Sequence, residues 1–118
     1  MGVNGGTRLR LEIELLPAAD AADQETRAVI SATGEIDLET VGQLADTLEP
    51  DLWADCDGVL VDLCDVRFMD STGVNTILQA QHRLGASGAR LAVATQPRSQ
   101  VEGVLELTGV RGRLPSSL

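Results

Sequence analysis

The pattern of hydrophobic and polar positions predicts two strands near the N-terminus. Residues 8–16, RLRLEIELL, alternate charged with aliphatic side chains, so that Leu9, Leu11, Ile13 and Leu15 share one face. Such alternation is typical of a half-buried strand. Residues 17–26 are small and acidic and predict a loop, and residues 27–34, RAVISATG, predict a second strand. The two strands are expected to pair as a hairpin.

The remainder of the chain alternates between helical spacing and continuous apolar runs. Apolar residues recur every three or four positions after residue 37, which predicts a helix: Leu38, Val41, Leu44, Ala45 and Leu48. Asp37 precedes this helix in a position suited to an N-cap. Residues 58–66 and 89–95 are nearly uninterrupted apolar runs, as in strands buried on both faces. Two more helices are predicted, one over residues 72–84 and one between Pro97 and Gly109.

The order strand, strand, helix, strand, helix, strand, helix indicates an α/β fold. Strands separated by helices imply right-handed crossovers and parallel pairing, and the initial hairpin makes the sheet mixed. A chain of 118 residues suits one domain. We assign residues 8–114 to this domain, residues 1–7 to a flexible N-terminal tail and residues 115–118 to a C-terminal tail.

Composition narrows the classes of partner. Nine Arg, no Lys and eighteen Asp plus Glu give a net charge of −9. An acidic surface repels nucleic acid and anionic lipid, so a protein partner or a small ligand is favoured. The absence of Lys excludes a Walker A phosphate-binding loop. Two Cys and one His do not predict a metal site, and no apolar run approaches the roughly 20 residues of a membrane helix.

The segment RFMDSTGVNTIL, residues 67–78, concentrates the candidate chemistry. Ser71 resembles the nucleophile of a strand-to-helix elbow, but Met69 stands where the first glycine of that motif should be. The single His, His82, lies eleven residues along the same predicted helix, or about 16 Å away. A Ser–His pair within one chain is therefore disfavoured, and no catalytic residue is predicted.

Two other interpretations of Ser71 stay open. Asp70 or Ser71 can cap the helix, since both residue types are common N-caps. Alternatively, Ser71 is an exposed phosphorylation site, where a phosphate adds about −1.5 to −2 charges beside Asp70 and weakens partner binding without unfolding the helix. Thr72 is a rival acceptor, although its hydroxyl can bond to the backbone.

The predicted partner-binding surface surrounds this turn. Its members come from the ends of two strands and the first turn of the second helix: Asp37, Met69, Asp70, Ser71, Thr72, Gly73, Val74 and Asn75.

Three segments together resemble the STAS domains of bacterial anti-sigma factor antagonists. They are GEID at residues 34–37, VLVDLCDVRFMDSTGV at residues 59–74 and VEGVLELTGV at residues 101–110, and the resemblance extends from about residue 9 to residue 114. It implies a mixed sheet of four or five strands with helices mainly on one side. It also implies a cytoplasmic binding protein that has no enzymatic activity and needs no cofactor.

The resemblance further implies a switch. The unphosphorylated antagonist binds an anti-sigma factor with serine kinase activity and so frees a sigma factor. That kinase phosphorylates the serine at the position of Ser71, and a serine phosphatase reverses the modification. Asp37 and Asp70 match acidic residues of the family near this serine. Val74 and Asn75 depart from the Leu-Gly that many members carry after the glycine.

STAS domains also occur without phosphorylation, as scaffold subunits of transport complexes. The alternative function is therefore a STAS subunit that regulates an ATPase or a transport complex, in which Ser71 is only a helix cap.

Overall fold

The computed structural model describes residues 8–17 and 25–107. Its elements, in chain order, are β1 (Leu9–Leu16), β2 (Arg27–Ile36), α1 (Val41–Thr47), a 3-10 helix (Pro50–Trp53), β3 (Gly58–Met69), α2 (Ser71–Ala86), β4 (Arg90–Ala94) and α3 (Gln100–Leu107). The two predicted tails, most of the loop over residues 17–26 and the predicted helix end at Gly109 lie outside the described residues.

The strands form one mixed sheet. Within the described residues it has four strands in the order β1-β2-β3-β4. β1 pairs antiparallel with β2, from Leu9 opposite Gly34 to Leu16 opposite Arg27. β2 with β3 and β3 with β4 are parallel pairs. The predicted hairpin, the parallel pairing and the α/β class are confirmed.

The helices cover one face of this sheet. Alternate residues of β2, β3 and β4 are buried and share a core with the buried side chains of all three α-helices: Ala28, Ile30, Ala32, Val59, Val61, Leu63, Leu91 and Val93 with Leu44, Ile77, Leu84, Val101 and Leu105. Because alternate strand residues point to the same face, the helices stand on that face. The 3-10 helix contributes Trp53, whose indole N–H donates to the carbonyl oxygen of Thr47 at 2.7 Å.

The prediction that β1 buries its whole apolar face is wrong for its outer half. Leu9 is buried and Leu11 is partly buried, but Ile13 and Leu15 are 50% and 59% exposed. β1 is an edge strand, and no helix among the described residues makes extensive contact with it. An alternating pattern indicates which face a side chain takes, but not whether another element covers that face.

The first helix begins later than its apolar spacing predicts. α1 starts at Val41, and Leu38 is 78% exposed rather than buried. Residues 37–40 instead form a turn in which Asp37 Oδ1 accepts hydrogen bonds from the N–H groups of Glu39 (3.0 Å) and Thr40 (3.2 Å). Asp37 therefore makes the hydrogen bonds of a cap, but to the turn that precedes the helix.

Two strands run further than predicted. β2 passes through Gly34, which adopts a positive φ of 118° at an irregularity in the register with β3. Glycine lacks a Cβ and tolerates this conformation, so β2 continues through Gly34 instead of ending there. β3 accordingly continues beyond Val66 to pair Met69 with Ile36.

Candidate functional site

The carboxyl ends of β2 and β3 lie side by side. Ile36 is opposite Met69 in the parallel register, and the N–H of Asp70 donates to the carbonyl oxygen of Ile36 at 3.1 Å. The next residue of each strand is an aspartate, so Asp37 and Asp70 leave the sheet at the same edge. Ligands and partners of open α/β sheets bind at this edge. We call the accessible surface here the rim, formed by Asp37, Leu38, Glu39, Asp70, Ser71, Thr72 and Asn75.

Asp70 is the residue that caps α2. Its Oδ1 accepts a hydrogen bond from the N–H of Thr72 at 2.9 Å and another from the Thr72 hydroxyl. Of the two predicted caps, the structure thus assigns this role to Asp70. The Thr72 hydroxyl is engaged as expected for the weaker phosphate acceptor, but its partner is a carboxylate rather than the backbone.

Ser71 is the first residue of α2 and is exposed. Among residues 8–17 and 25–107, its hydroxyl has no hydrogen-bond partner. The side chain is therefore free to approach another molecule, while its neighbours Asp70 and Thr72 bind each other. A free hydroxyl at a helix N-terminus can also carry an anionic group, because the helix dipole favours negative charge there.

Asp37 is held in place by an ion pair from the start of β1. Arg8 contacts the Oδ2 of Asp37 and reaches Glu35 (3.3 Å) and Glu39 (3.4 Å) as well. Desolvation of Asp37 opposes ionisation, but hydrogen bonds from the Glu39 N–H and the Arg8 guanidinium outweigh it, and the pKa of Asp37 is lowered. Asp37 is thus a fixed anion on the rim.

A buried threonine supports this turn from below. The hydroxyl of Thr40, which is 1% exposed, donates to the carbonyl oxygen of Glu35 at 2.8 Å and accepts from the N–H of Asp37 at 3.0 Å. Without the Thr40 hydroxyl, the carbonyl oxygen of Glu35 and the N–H of Asp37 would each lose a hydrogen bond at the end of β2. Thr40 therefore fixes the direction in which Asp37 leaves the sheet.

Three of the residues predicted to bind a partner lie beneath the rim. Met69 is fully buried, and Gly73 and Val74 are buried in the first turn of α2. A Cβ on Gly73 would lie 2.5 Å from the Met69 Cγ and 2.9 Å from the Ile36 Cγ2, so glycine lets α2 pack closely on the sheet. These three residues shape the rim, whereas Asp37, Asp70, Ser71, Thr72 and Asn75 are accessible.

Gln100 positions the end of β3 and was not found by sequence reasoning. Its Oε1 accepts from the N–H of Met69 at 2.8 Å, and its Nε2 donates to the carbonyl oxygen of Met69 at 3.0 Å. The side-chain amide thus pairs with this backbone as a neighbouring strand would. No local pattern signals the contact, because Met69 and Gln100 are 31 positions apart. Sequence reasoning also did not identify Arg8 and the exposed Leu38 as residues of this site.

The remaining candidate chemistry is separated from the rim. His82 is exposed on α2, and the helix is continuous from Ser71 to His82. Burial and the nearby carboxylates of Asp62 and Asp65 raise the pKa of Cys64 to about 11, so this residue is a thiol at neutral pH.

No cluster of three metal-ligating side chains occurs in the described part of the chain. No helix among these residues is long and apolar enough to cross a membrane.

Comparison with known families decides where this fold belongs. A family model described as "Mlab, STAS domain" matches residues 18–116. The chain belongs to the STAS domain family. A search of curated proteins finds no match.

Solved STAS-like structures share the fold. An anti-sigma factor antagonist from Mycobacterium paratuberculosis is 24% identical, with a TM-score of 0.65 and coverage of 89% of this chain and 85% of that one. The antagonist SpoIIAA in its unphosphorylated form is 19% identical (TM-score 0.69; 92% and 88% coverage). The Bacillus SpoIIAA in its phosphorylated form is also 19% identical (TM-score 0.63; 92% and 91% coverage). At these identities the similarity establishes the fold alone.

Proposed function

We propose that this STAS domain is an anti-sigma factor antagonist switched by phosphorylation of Ser71. In its unphosphorylated form it binds an anti-sigma factor with serine kinase activity in the bacterial cytoplasm and so frees a sigma factor. The kinase then phosphorylates Ser71 and releases the antagonist, and a serine phosphatase restores it. Structural neighbours that are anti-sigma factor antagonists support the general role.

One observation carries the proposal. The Ser71 hydroxyl is exposed and without a partner in the described part of the chain, whereas the adjacent Thr72 hydroxyl is bound to Asp70. A kinase that docks on the rim therefore meets one accessible acceptor. The Oδ1 of Asp70 accepts from both the N–H and the hydroxyl of Thr72, so Asp70 engages Thr72 and leaves the Ser71 hydroxyl free.

A phosphate on Ser71 changes the rim without breaking the fold. α2 extends for sixteen residues and its cap is provided by Asp70, so the helix does not depend on the Ser71 hydroxyl. The phosphate adds about −1.5 to −2 charges. It places them beside Asp70, on the rim that also carries Asp37 and the exposed apolar side chain of Leu38. Contacts made by the bare rim are lost through charge repulsion and the cost of removing water from the phosphate.

The proposed role is binding rather than catalysis. A hydrolase needs a base close to its serine. His82 is about 16 Å along the helix from Ser71 at the usual rise per residue. We therefore expect no turnover that depends on Ser71.

Capture from a lysate of the source bacterium tests the proposal. The wild type, Ser71→Ala and Ser71→Asp are compared with Gln79→Glu, which adds one negative charge two turns further along α2. The wild type, Ser71→Ala and Gln79→Glu are expected to capture a kinase-like anti-sigma factor. Ser71→Asp is expected to retain at most about a tenth as much, a loss of about 1.4 kcal/mol or more in binding. Equal capture by all four proteins would contradict the switch.

The family assignment favours a second candidate. The matching family model is described by the name Mlab, not as an anti-sigma factor antagonist. Under this second proposal, the chain is a STAS scaffold subunit of an ATPase or transport complex. The same capture distinguishes the two candidates, because the scaffold would retain an ATPase or transport subunit equally with Ser71 and with Ser71→Asp.

A further inference from the structure

β1 presents an open edge of the sheet. It lies at one end of the strand order, with β2 as its only strand neighbour among the described residues. Its pairing with β2 is regular from Leu9 to Leu16, without a bulge, and the strand contains no Pro. Edge strands are usually protected by bulges, Pro or short length, because their unpaired N–H and C=O groups attract another strand. β1 has none of these three features, although Arg10, Glu12 and Glu14 place charges along it, which also oppose unselective pairing of an edge.

The same strand leaves apolar side chains uncovered. Ile13 and Leu15 are 50% and 59% exposed on the face that forms the core in the neighbouring strands. Ile13 lies opposite Ile30 and Leu15 opposite Ala28, both of which are fully buried. The core therefore ends abruptly at β1, where a further strand would extend it.

The charges on the other face of β1 identify the strand that fits. Arg8 and Arg10 are followed at the same alternation by Glu12 and Glu14. Residues 8–14, with Arg8 directly before the strand, are thus locally neutral within a chain of net charge −9. Two positive charges followed by two negative charges are complementary to the same sequence read in the opposite direction.

An antiparallel copy of β1 centred on Leu11 places opposite charges across the pair, in addition to the 4.0 Å contact between Arg10 and Glu12 within one copy. Arg10 then lies opposite Glu12, and Arg8 opposite Glu14, in both directions across the pair. On the apolar face, Leu9 lies opposite Ile13 and Leu11 opposite Leu11. Cross-strand pairs of opposite charge and of aliphatic side chains each stabilise a sheet.

Other registers are less favourable. A shift of the antiparallel pair by two residues places Glu12 opposite Glu12, and an in-register parallel pair places each charge opposite its own kind. Like charges that face each other across strands are destabilising. The sequence of β1 therefore specifies both the direction and the register of its partner.

We propose that β1 is a self-association site, at which two copies of this chain pair antiparallel about Leu11. The product is a two-fold symmetric dimer whose four-stranded sheets join into one. Arg8 also contacts Asp37 within its own copy, so the central Arg10–Glu12 pairs determine the register. β1 is two strands away from β3, and it meets the rim through Arg8, which contacts Asp37 and Glu39. The inference does not depend on the function of Ser71.

Charge reversal at the central pair tests this dimer. The side chains of Arg10 and Glu12 are both 71% exposed, so their substitution should not disturb the fold. Sedimentation velocity over a range of concentrations is expected to show a monomer–dimer equilibrium for the wild type. Arg10→Glu and Glu12→Arg should each weaken dimerisation by about tenfold or more, because each places like charges opposite one another twice.

Two further measurements test whether the single variants dimerise weakly because of their charges or because of a general loss of stability. The double variant R10E/E12R restores opposite charges at the centre and should dimerise like the wild type. An equimolar mixture of the two single variants should form a heterodimer for the same reason. Circular dichroism melting curves confirm that each variant is folded.

Three results would overturn the proposal. They are a wild type that stays monomeric at all concentrations up to the solubility limit, a dimer that neither single variant weakens, and a monomer whose outward β1 amides are already protected from hydrogen exchange. The last result would mean that another part of the same chain occupies the edge.

Discussion

The side-chain amide of Gln100 holds both backbone polar groups of Met69. The two hydrogen bonds, of 2.8 and 3.0 Å, join the start of α3 to the end of β3, one residue before the cap of α2. The rim is therefore supported by a residue far away in the sequence. Ser71 is presented where it is because the preceding strand end is fixed from two sides, by β2 and by α3.

Replacement of Gln100 should destabilise the domain. Gln100→Ala leaves the N–H and C=O of Met69 without these partners, and we expect a loss of about 1–2 kcal/mol in the free energy of unfolding. Urea denaturation measures it, with Gln96→Ala, at an exposed position before α3, as the matched control. Equal midpoints for the two variants would show that the Gln100 contact contributes nothing.

Two glycines of α2 should respond in opposite directions to alanine. At Gly73 a Cβ would lie 2.5 Å from the Met69 Cγ and 2.8 Å from its Sδ, whereas at Gly85 it would meet nothing within 4 Å. Gly73→Ala is expected to cost about 1–3 kcal/mol, because the packed side chains must move. Gly85→Ala should stabilise the helix by up to about 1 kcal/mol. Thermal melts of both variants give the comparison, and a stabilised Gly73→Ala would contradict the close packing.

The ion pair between Arg8 and Asp37 should make stability depend on pH. The folded pKa of Asp37 lies below its unfolded value of about 3.9, despite the desolvation that opposes this shift. The stabilisation is therefore present above about pH 4 and is lost as the pH falls through the folded pKa.

The measurement compares the wild type with Asp37→Asn by urea unfolding at pH 7, 5, 4 and 3. The wild type is expected to be more stable at pH 7 and 5, and the difference should shrink at pH 4 and 3. Asp46→Asn, at an exposed position in α1, corrects for the loss of one carboxylate. A difference that stays constant over this range would exclude a pKa shift at Asp37.

Cys64 should react slowly with thiol reagents. Burial and the carboxylates of Asp62 and Asp65 raise its pKa to about 11, so very little thiolate exists at neutral pH. In a Cys56→Ser background, the rate of alkylation by iodoacetamide should rise roughly tenfold per pH unit between pH 7 and 10. A rate that levels off near pH 8 would mean that the pKa of Cys64 is that of an ordinary thiol and would contradict the raised value.

The sequence predicted the fold class and the element order, but not how the rim is built. Periodicity identifies strands, helices and their buried faces, because those follow from local spacing. The resemblance to the STAS family implied that Asp37 lies near Ser71, whereas periodicity alone predicted only a helix cap at Asp37. Arg8, Thr40 and Gln100 could not be found, because each acts through a contact that only the tertiary fold creates.

Apolar spacing was least reliable where an element ends. Leu38 fits the helical pattern of α1 but lies in the turn before it, because Asp37 and Thr40 hold that turn by hydrogen bonds. Leu107, the last described residue of α3, also fits the helical pattern and is 90% exposed. Helical spacing therefore does not by itself show that a side chain is buried.

The most direct test of the switch installs phosphoserine at position 71 during translation. The affinity of this protein for the captured anti-sigma factor is measured beside that of the unmodified chain and of a chain with phosphothreonine at position 72. The account predicts a folded protein whose binding is weakened at least tenfold by phosphoserine at position 71. Equal affinity of the phosphoserine form and the unmodified chain would contradict the switch and leave Ser71 as an exposed first residue of α2.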